Sequence, residues 1–161
     1  MSLQQDMELL RSIPMFAGME PSRLKLLSFT STRVSFMPGE SFIRQGEVGD
    51  AAYVIVEGEA EVVIETAQGE SVLSAVGKHS LIGEVALLHS GYRTATVRAR
   101  SPLVCMKMTK DVFFHLLRDS PDFALAVMRD LARRVDRSTE RLRNALVELR
   151  EHQGAQHGTQ A

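Results

Sequence analysis

At 161 residues, with 44% apolar and 24% charged positions, the chain is long enough for one self-sufficient core plus a terminal extension, and too apolar to be disordered. A formal net charge of −1 gives no global positive field toward nucleic acid or anionic lipid, and the single cysteine, Cys105, excludes a disulfide framework or an all-cysteine metal site. The leading MSLQQDMELLRS lacks a basic-then-apolar signal layout and no run approaches a membrane span, so the expected compartment is the cytoplasm.

Leu3, Met7 and Leu10 recur at helical spacing, and Pro21 opens a second short helix carrying Leu24, Leu26 and Leu27, so residues 1–28 read as a helical segment. From Phe29 the period changes. Short runs such as FTSTRVSF, AYVIVE, AEVVIE, SVLSAV, TATVRA and PLVCMKM are divided by glycines at positions that include Gly39, Gly46, Gly49, Gly58, Gly69, Gly77 and Gly91. The fold class predicted for 29–110 is an α+β arrangement built on a β-jelly-roll barrel of about eight strands. After Met108 the helical period returns. Asp111 is placed to cap a short helix with Phe113, Phe114, Leu116 and Leu117 that ends before Pro121, and a long helix is expected from Pro121 to Glu151. In it Met128, Leu131, Val135, Ser138, Leu142, Ala145 and Leu149 form a heptad seam, while Arg133, Arg134, Arg137, Arg141 and Arg143 alternate with acids as a solvated face. Residues 152–161 are expected to be a disordered tail.

One connection is not a plain turn. In LIGEVALLHSGYRTATVRA a strand ends at Gly83, a helix-like VALLH stretch follows, and a strand resumes at Thr94. Gly83 permits close backbone approach, and the first turn of the insert offers free N–H groups to an anion. Arg93 supplies a forked permanent charge and Thr94 a hydroxyl, while Ala86 and Ala95 are small enough to leave the backbone reachable. Glu84 beside an anion would repel it unless the carboxylate faced a hydroxyl donor. A ribose whose phosphate is closed into a 3′,5′ ring satisfies both groups.

IGEVALLHSGYRTATVRA resembles the phosphate-binding cassette of the cyclic-nucleotide-binding domain family, the type found in catabolite activator protein and protein kinase A regulatory subunits. PGESFIRQGEVGDAAYVIVEGEAEV and DVFFHLLRDSPDFALAVMRDLARRV extend the likeness. The resemblance implies a ligand site of Gly83, Glu84, Val85, Ala86, Arg93, Thr94 and Ala95. In that site Gly83 and Ala86 offer amides, Glu84 takes the ribose hydroxyl, and Arg93 with Thr94 holds the phosphate. It also puts Ser138 and Thr139 against the base, which favours cyclic AMP, while Thr94 pulls toward cyclic GMP; cyclic AMP is the expected ligand of the two.

The resulting expectation is a regulatory sensor, not an enzyme, with no cofactor and no metal. It would signal through its C-terminal helices to an effector protein of unknown identity, with Phe113 or Phe114 packing on Leu87 or Leu88. The heptad seam predicts a homodimer. Since the sequence stops soon after Glu151, no winged helix and no nucleic-acid partner are expected. Two other readings stay open. One is a ligand-free interaction module of the same fold. The other is a cupin-like metal enzyme, which the scattered His79, His89, His115, His152 and His157 do not favour.

Overall fold

Alternating and fully apolar runs pair into two four-stranded antiparallel sheets, and helices flank them at both ends of the chain. The computed structural model describes residues 3–89 and 91–158. In chain order these are α1 (Leu3–Ser12), a 3-10 turn (Pro14–Phe16), α2 (Pro21–Thr30), β1 (Thr32–Phe36), β2 (Ser41–Ile43), β3 (Ala51–Glu57), β4 (Ala60–Thr66), β5 (Gly69–Val76), β6 (Leu81–Ile82), α3 (Glu84–Leu88), β7 (Thr96–Ala99), β8 (Leu103–Thr109), α4 (Lys110–Asp119) and α5 (Pro121–Gly158). One sheet runs β1-β8-β3-β6 and the other β2-β7-β4-β5. This is the α+β jelly roll expected from the glycine-punctuated runs.

β3 is apolar on both faces because it lies between β8 and β6 under the second sheet. Ile43, Tyr53, Ile55, Val97, Leu103 and Cys105 close the space between the sheets, and Phe42 stacks on Phe36 at 4.5 Å. Burial pushes the Cys105 thiol up to about 12, so it is an inert core side chain. Gly58 has φ +90, and a Cβ there would stand 2.2 Å from the Pro102 carbonyl oxygen, so that turn accepts glycine alone.

Several boundaries differ from the sequence expectation. The β-forming Phe29 belongs to α2, which runs to Thr30, past the 1–28 limit. The hydroxyls of Ser28 and Thr30 donate to the Lys25 and Leu26 carbonyls, so they cap their own helix instead of opening a strand. Thr109, not Asp111, caps α4: its Oγ1 accepts from the Val112 amide at 3.3 Å, and Asp111 stands inside the first turn. Strand β6 spans two residues, too short to leave a periodic signal. α5 continues to Gly158, beyond Glu151 and into the expected disordered tail, with a His152–Gln156 contact at i, i+4. Of that tail, 159–161 lie outside the described residues.

Two compact units meet at Phe123/Ala124. In the first, the 3-10 turn, α4 and the start of α5 share an aromatic cluster in which Phe123 stacks on Phe16 at 5.6 Å and meets Phe113 edge-on at 6.0 Å. The second is the rest of α5. Along it Arg134 pairs with Asp130 at 2.7 Å, and Met128, Val135, Leu142 and Leu149 are each more than half exposed.

Candidate functional site

The chain from β6 to β7 folds as a hairpin over the 46–51 segment, and its 91–93 stretch is tied to that segment by backbone hydrogen bonds. The Arg93 amide donates to Glu47 O at 2.7 Å, the Gly46 amide to Arg93 O at 2.8 Å, and the Gly49 amide to Gly91 O at 2.7 Å. Val48 and Tyr92 pair between them as an isolated bridge. Gly83 is the N-cap of α3 in the left-handed region, φ 87 and ψ 0, so the chain turns there without a side chain in the way. Helix α3 then follows for five residues, with Glu84, Ala86 and Leu87 facing inward.

Arg93 is the best-defined group in this hairpin. It is 7% exposed. Its Nη1 donates to Gly83 O at 2.7 Å and its Nη2 to Ala51 O at 2.6 Å, which fixes the plane of the guanidinium and leaves further N–H donors on the fork. Burial lowers its pKa below the ordinary arginine range, opposed by Tyr53, Asp50, Glu84 and Glu47. Burial raises the Tyr53 phenol, with Arg93 acting against it. Glu84 is fully buried within the field of this arginine, an arrangement in which each charge offsets part of the other's desolvation.

The hairpin thus assembles Gly83, Glu84, Ala86 and Arg93 in one place. Val85 and Thr94 are exposed beside them and Ala95 is half-buried, leading into β7. Ser138 and Thr139 are exposed on α5, in the second unit, where the Thr139 hydroxyl donates to its own helix at Val135 O. Phe113 is buried and its ring partners are Phe114 and Phe123.

Sequence reasoning missed the far wall. Gly49 is buried, and a Cβ on it would lie 2.7 Å from Ala86 Cβ and 3.1 Å from Arg93 Cζ. The guanidinium therefore passes over a bare backbone that only glycine provides. Ala51 contributes through its carbonyl, which no side-chain motif announces. The signal that points there is the pair Gly46 and Gly49 in QGEVGDAA, which mark turns and belong to the stretch that extends the family likeness, without saying that Gly49 faces Arg93.

Among the described residues no group of three or more His, Cys, Asp or Glu is placed to hold a metal, and no helix is long and apolar enough to cross a membrane.

Comparison with known proteins gives a consistent answer. Residues 33–120 match the family model for the cyclic nucleotide-binding domain. A CRP-like cAMP-activated global transcriptional regulator of Mycobacterium tuberculosis is 28% identical over 136 residues, covering 84% of this chain and 61% of that protein. A cGMP-dependent protein kinase of Eimeria tenella is 40% identical over 86 residues, covering 53% of this chain and 8% of the kinase. The Thermus thermophilus catabolite activator protein superposes with a TM-score of 0.70 at 27% identity, over 80% of this chain and 61% of that one. The chain thus spans less than two thirds of these relatives. The match runs from the second residue of β1 through β8, the Gly83–Arg93 hairpin and α4, and on that ground the chain belongs to the cyclic nucleotide-binding domain family.

Proposed function

We propose that this chain is a receptor for a 3′,5′-cyclic nucleotide, with the phosphate held by the Gly83–Ala95 hairpin. The observation that carries this reading is the buried Arg93, pinned between the Gly83 and Ala51 carbonyls next to the buried Glu84. An arginine fixed this way presents its remaining N–H groups in a set direction, and one cation suits the single charge of a phosphodiester. The amides at the start of α3, including those of Val85 and Ala86, add donors for the phosphate oxygens, and Glu84 accepts from the ribose 2′-hydroxyl. Thr94 and Ala95 border the entrance.

Cyclic AMP is proposed as the preferred ligand, with Ser138 and Thr139 of α5 meeting the adenine edge. Thr94 offers the opposing interaction for guanine. A dimer through α5 accompanies this reading, supported by the exposed apolar side chains at Met128, Val135, Leu142 and Leu149. Signal passes to an effector protein through α4 and α5. α4 begins at a backbone bond from Lys110 to Asp50 O, one residue before the carbonyl that holds Arg93.

Calorimetry with cyclic AMP, cyclic GMP and 2′-deoxy cyclic AMP tests the reading. Binding of a cyclic nucleotide, discrimination against the 2′-deoxy form, and loss of that discrimination in Glu84→Ala are expected. A protein that binds neither nucleotide is a ligand-free module, in which the two carbonyls merely satisfy Arg93. A tenfold tighter cyclic GMP, about 1.4 kcal/mol, overturns the adenine assignment.

A further inference from the structure

Strand β4 outruns the strand beside it. It pairs with β7 from Ala60↔Ala99 to Val63↔Thr96, and β7 begins at Thr96. Beyond that point Ile64, Glu65 and Thr66 pair with β5 alone among the described strands. Continued backwards, the β7 register would bring Thr94 opposite Glu65. The chain instead stays out of the sheet through Thr94 and Ala95, and this leaves Arg93 free to join the hairpin over residues 46–51.

A side chain fills the ladder position so left open. Gln45 Oε1 accepts from the Glu65 amide at 2.9 Å, and Gln45 Nε2 donates to Glu65 O at 3.4 Å. These are the two bonds that a paired strand residue exchanges with its partner. A primary amide can supply both because it carries a donor and an acceptor, as a peptide group does. Gln45 is itself placed from the other side. Its backbone amide donates to Thr96 Oγ1 at 3.0 Å, and the next amide, on Gly46, donates to Arg93 O at 2.8 Å. One residue therefore meets the overhang of β4, the start of β7 and, through its peptide neighbour, the Arg93 backbone.

We propose that Gln45 is the positioning residue of the Arg93 hairpin. Its side chain stands in for the ladder that β7 does not supply, so the chain can carry Arg93 away from the sheet while the β4–β5 hairpin keeps its place. Gln45 and Glu65 are both exposed, so each bond is worth little to global stability, and the effect falls on where Arg93 is held. Linkage makes that effect reciprocal: a phosphate that fixes Arg93 also steadies the Gln45–Glu65 contact. The positioning stands without the nucleotide reading above; the response to ligand rests on it.

Amide hydrogen exchange on the full chain, with and without cyclic AMP, tests both halves beside calorimetry. In the parent, cyclic AMP is expected to slow exchange at the Glu65 amide about fivefold or more. Gln45→Met keeps the length of the side chain and loses both bonds. It should speed exchange at the Glu65 and Arg93 amides and weaken cyclic AMP about fivefold. Gln45→Glu keeps the acceptor for the Glu65 amide and should restore part of each loss. Thr66→Ala loosens the tip of the same hairpin, where the Thr66 hydroxyl donates to Gly69 O at 2.9 Å, and should leave cyclic AMP affinity at the parent value. Unchanged exchange at the Arg93 amide in Gln45→Met overturns the positioning role. So does a Thr66→Ala variant that binds as weakly as Gln45→Met, since hairpin order alone would then account for the loss. A Glu65 amide indifferent to bound nucleotide, or parent affinity in Gln45→Met, overturns the coupling. A parent that binds no cyclic nucleotide, together with faster Arg93 exchange in Gln45→Met, refutes the nucleotide reading and leaves the positioning role standing.

Discussion

Arg93 and the groups around it make opposite demands on solvent, and their replacement separates them. Arg93→Ala removes the cation from a buried pair and is expected to weaken cyclic-nucleotide binding by about 2–5 kcal/mol, read by calorimetry. Unchanged affinity removes Arg93 from the phosphate site. Gly49→Ala leaves every candidate ligand group in place but puts a Cβ 2.7 Å from Ala86 and against the guanidinium. It should lower both nucleotide affinity and melting temperature, and wild-type values for both would show that the close approach is unimportant. Cys105 gives a pH prediction. Its thiol is raised from 9.0 to about 12 in the folded chain, so only the unfolded chain ionises between those values. The folded state then binds the extra proton, and stability present below about pH 9 is lost as pH rises toward 12, at about 1.4 kcal/mol per pH unit. Cys105→Ala should flatten that part of the denaturation profile; an unaltered slope assigns the alkaline loss to other groups. At this scale the sequence was informative where chemistry is contiguous. Gly83, Glu84 and Arg93 lie within one short stretch and carry distinctive side chains. Ala51 and Glu47 act through backbone oxygens from another part of the chain, and backbone atoms have no letter code.

Among the elements, α4 depends on its first turn. The Thr109 hydroxyl accepts from the Val112 amide, and Thr109→Ala should cost about 1 kcal/mol in chemical denaturation. Asp111→Ala removes no such cap and should cost less; the reverse order would restore Asp111 as the capping residue. The sequence pattern places the cap two residues too late because Thr109 also completes the apolar run of β8. A residue that ends a strand and begins a helix is hard to divide from pattern alone. The same conflict hid the end of α2, where Ser28, Phe29 and Thr30 have strand-like composition but turn their hydroxyls back onto helical carbonyls. Pro121 caused no such ambiguity. Its ring fixes the first-turn geometry, and the Ser120 hydroxyl accepts from the Phe123 amide at 3.4 Å, so the start of α5 was visible in one dipeptide.

At the scale of the whole molecule, assembly is the property that the sequence pattern and the exposed face of α5 jointly raise. Val135→Asp and Leu142→Asp place charges within an apolar seam while lying far along the chain from the barrel. Light scattering should find a dimer in the parent chain and a monomer in these variants, with strand content preserved by circular dichroism. A parent chain that is monomeric at micromolar concentration, with and without nucleotide, would dispose of the dimer. The jelly roll itself was legible because its turns are glycine-marked and its strands carry β-branched residues at close intervals. β6 was visible only as the strand that ends at Gly83, because a two-residue strand is specified by its pairing with β3 more than by its own composition.

The carbonyls that grip Arg93 also set a kinetic expectation. A flexible arginine must first find its binding rotamer, and that search slows productive encounters and lowers the population able to capture an anion. Here the rotamer is already selected by Gly83 O and Ala51 O, so that ordering cost is met during folding. Stopped-flow association with a fluorescent cyclic nucleotide should then rise linearly with ligand concentration, without the plateau that a slow side-chain or loop rearrangement would impose. Differences in affinity between nucleotides should appear in how long each stays bound, since both purines would approach the same proposed phosphate site at similar rates.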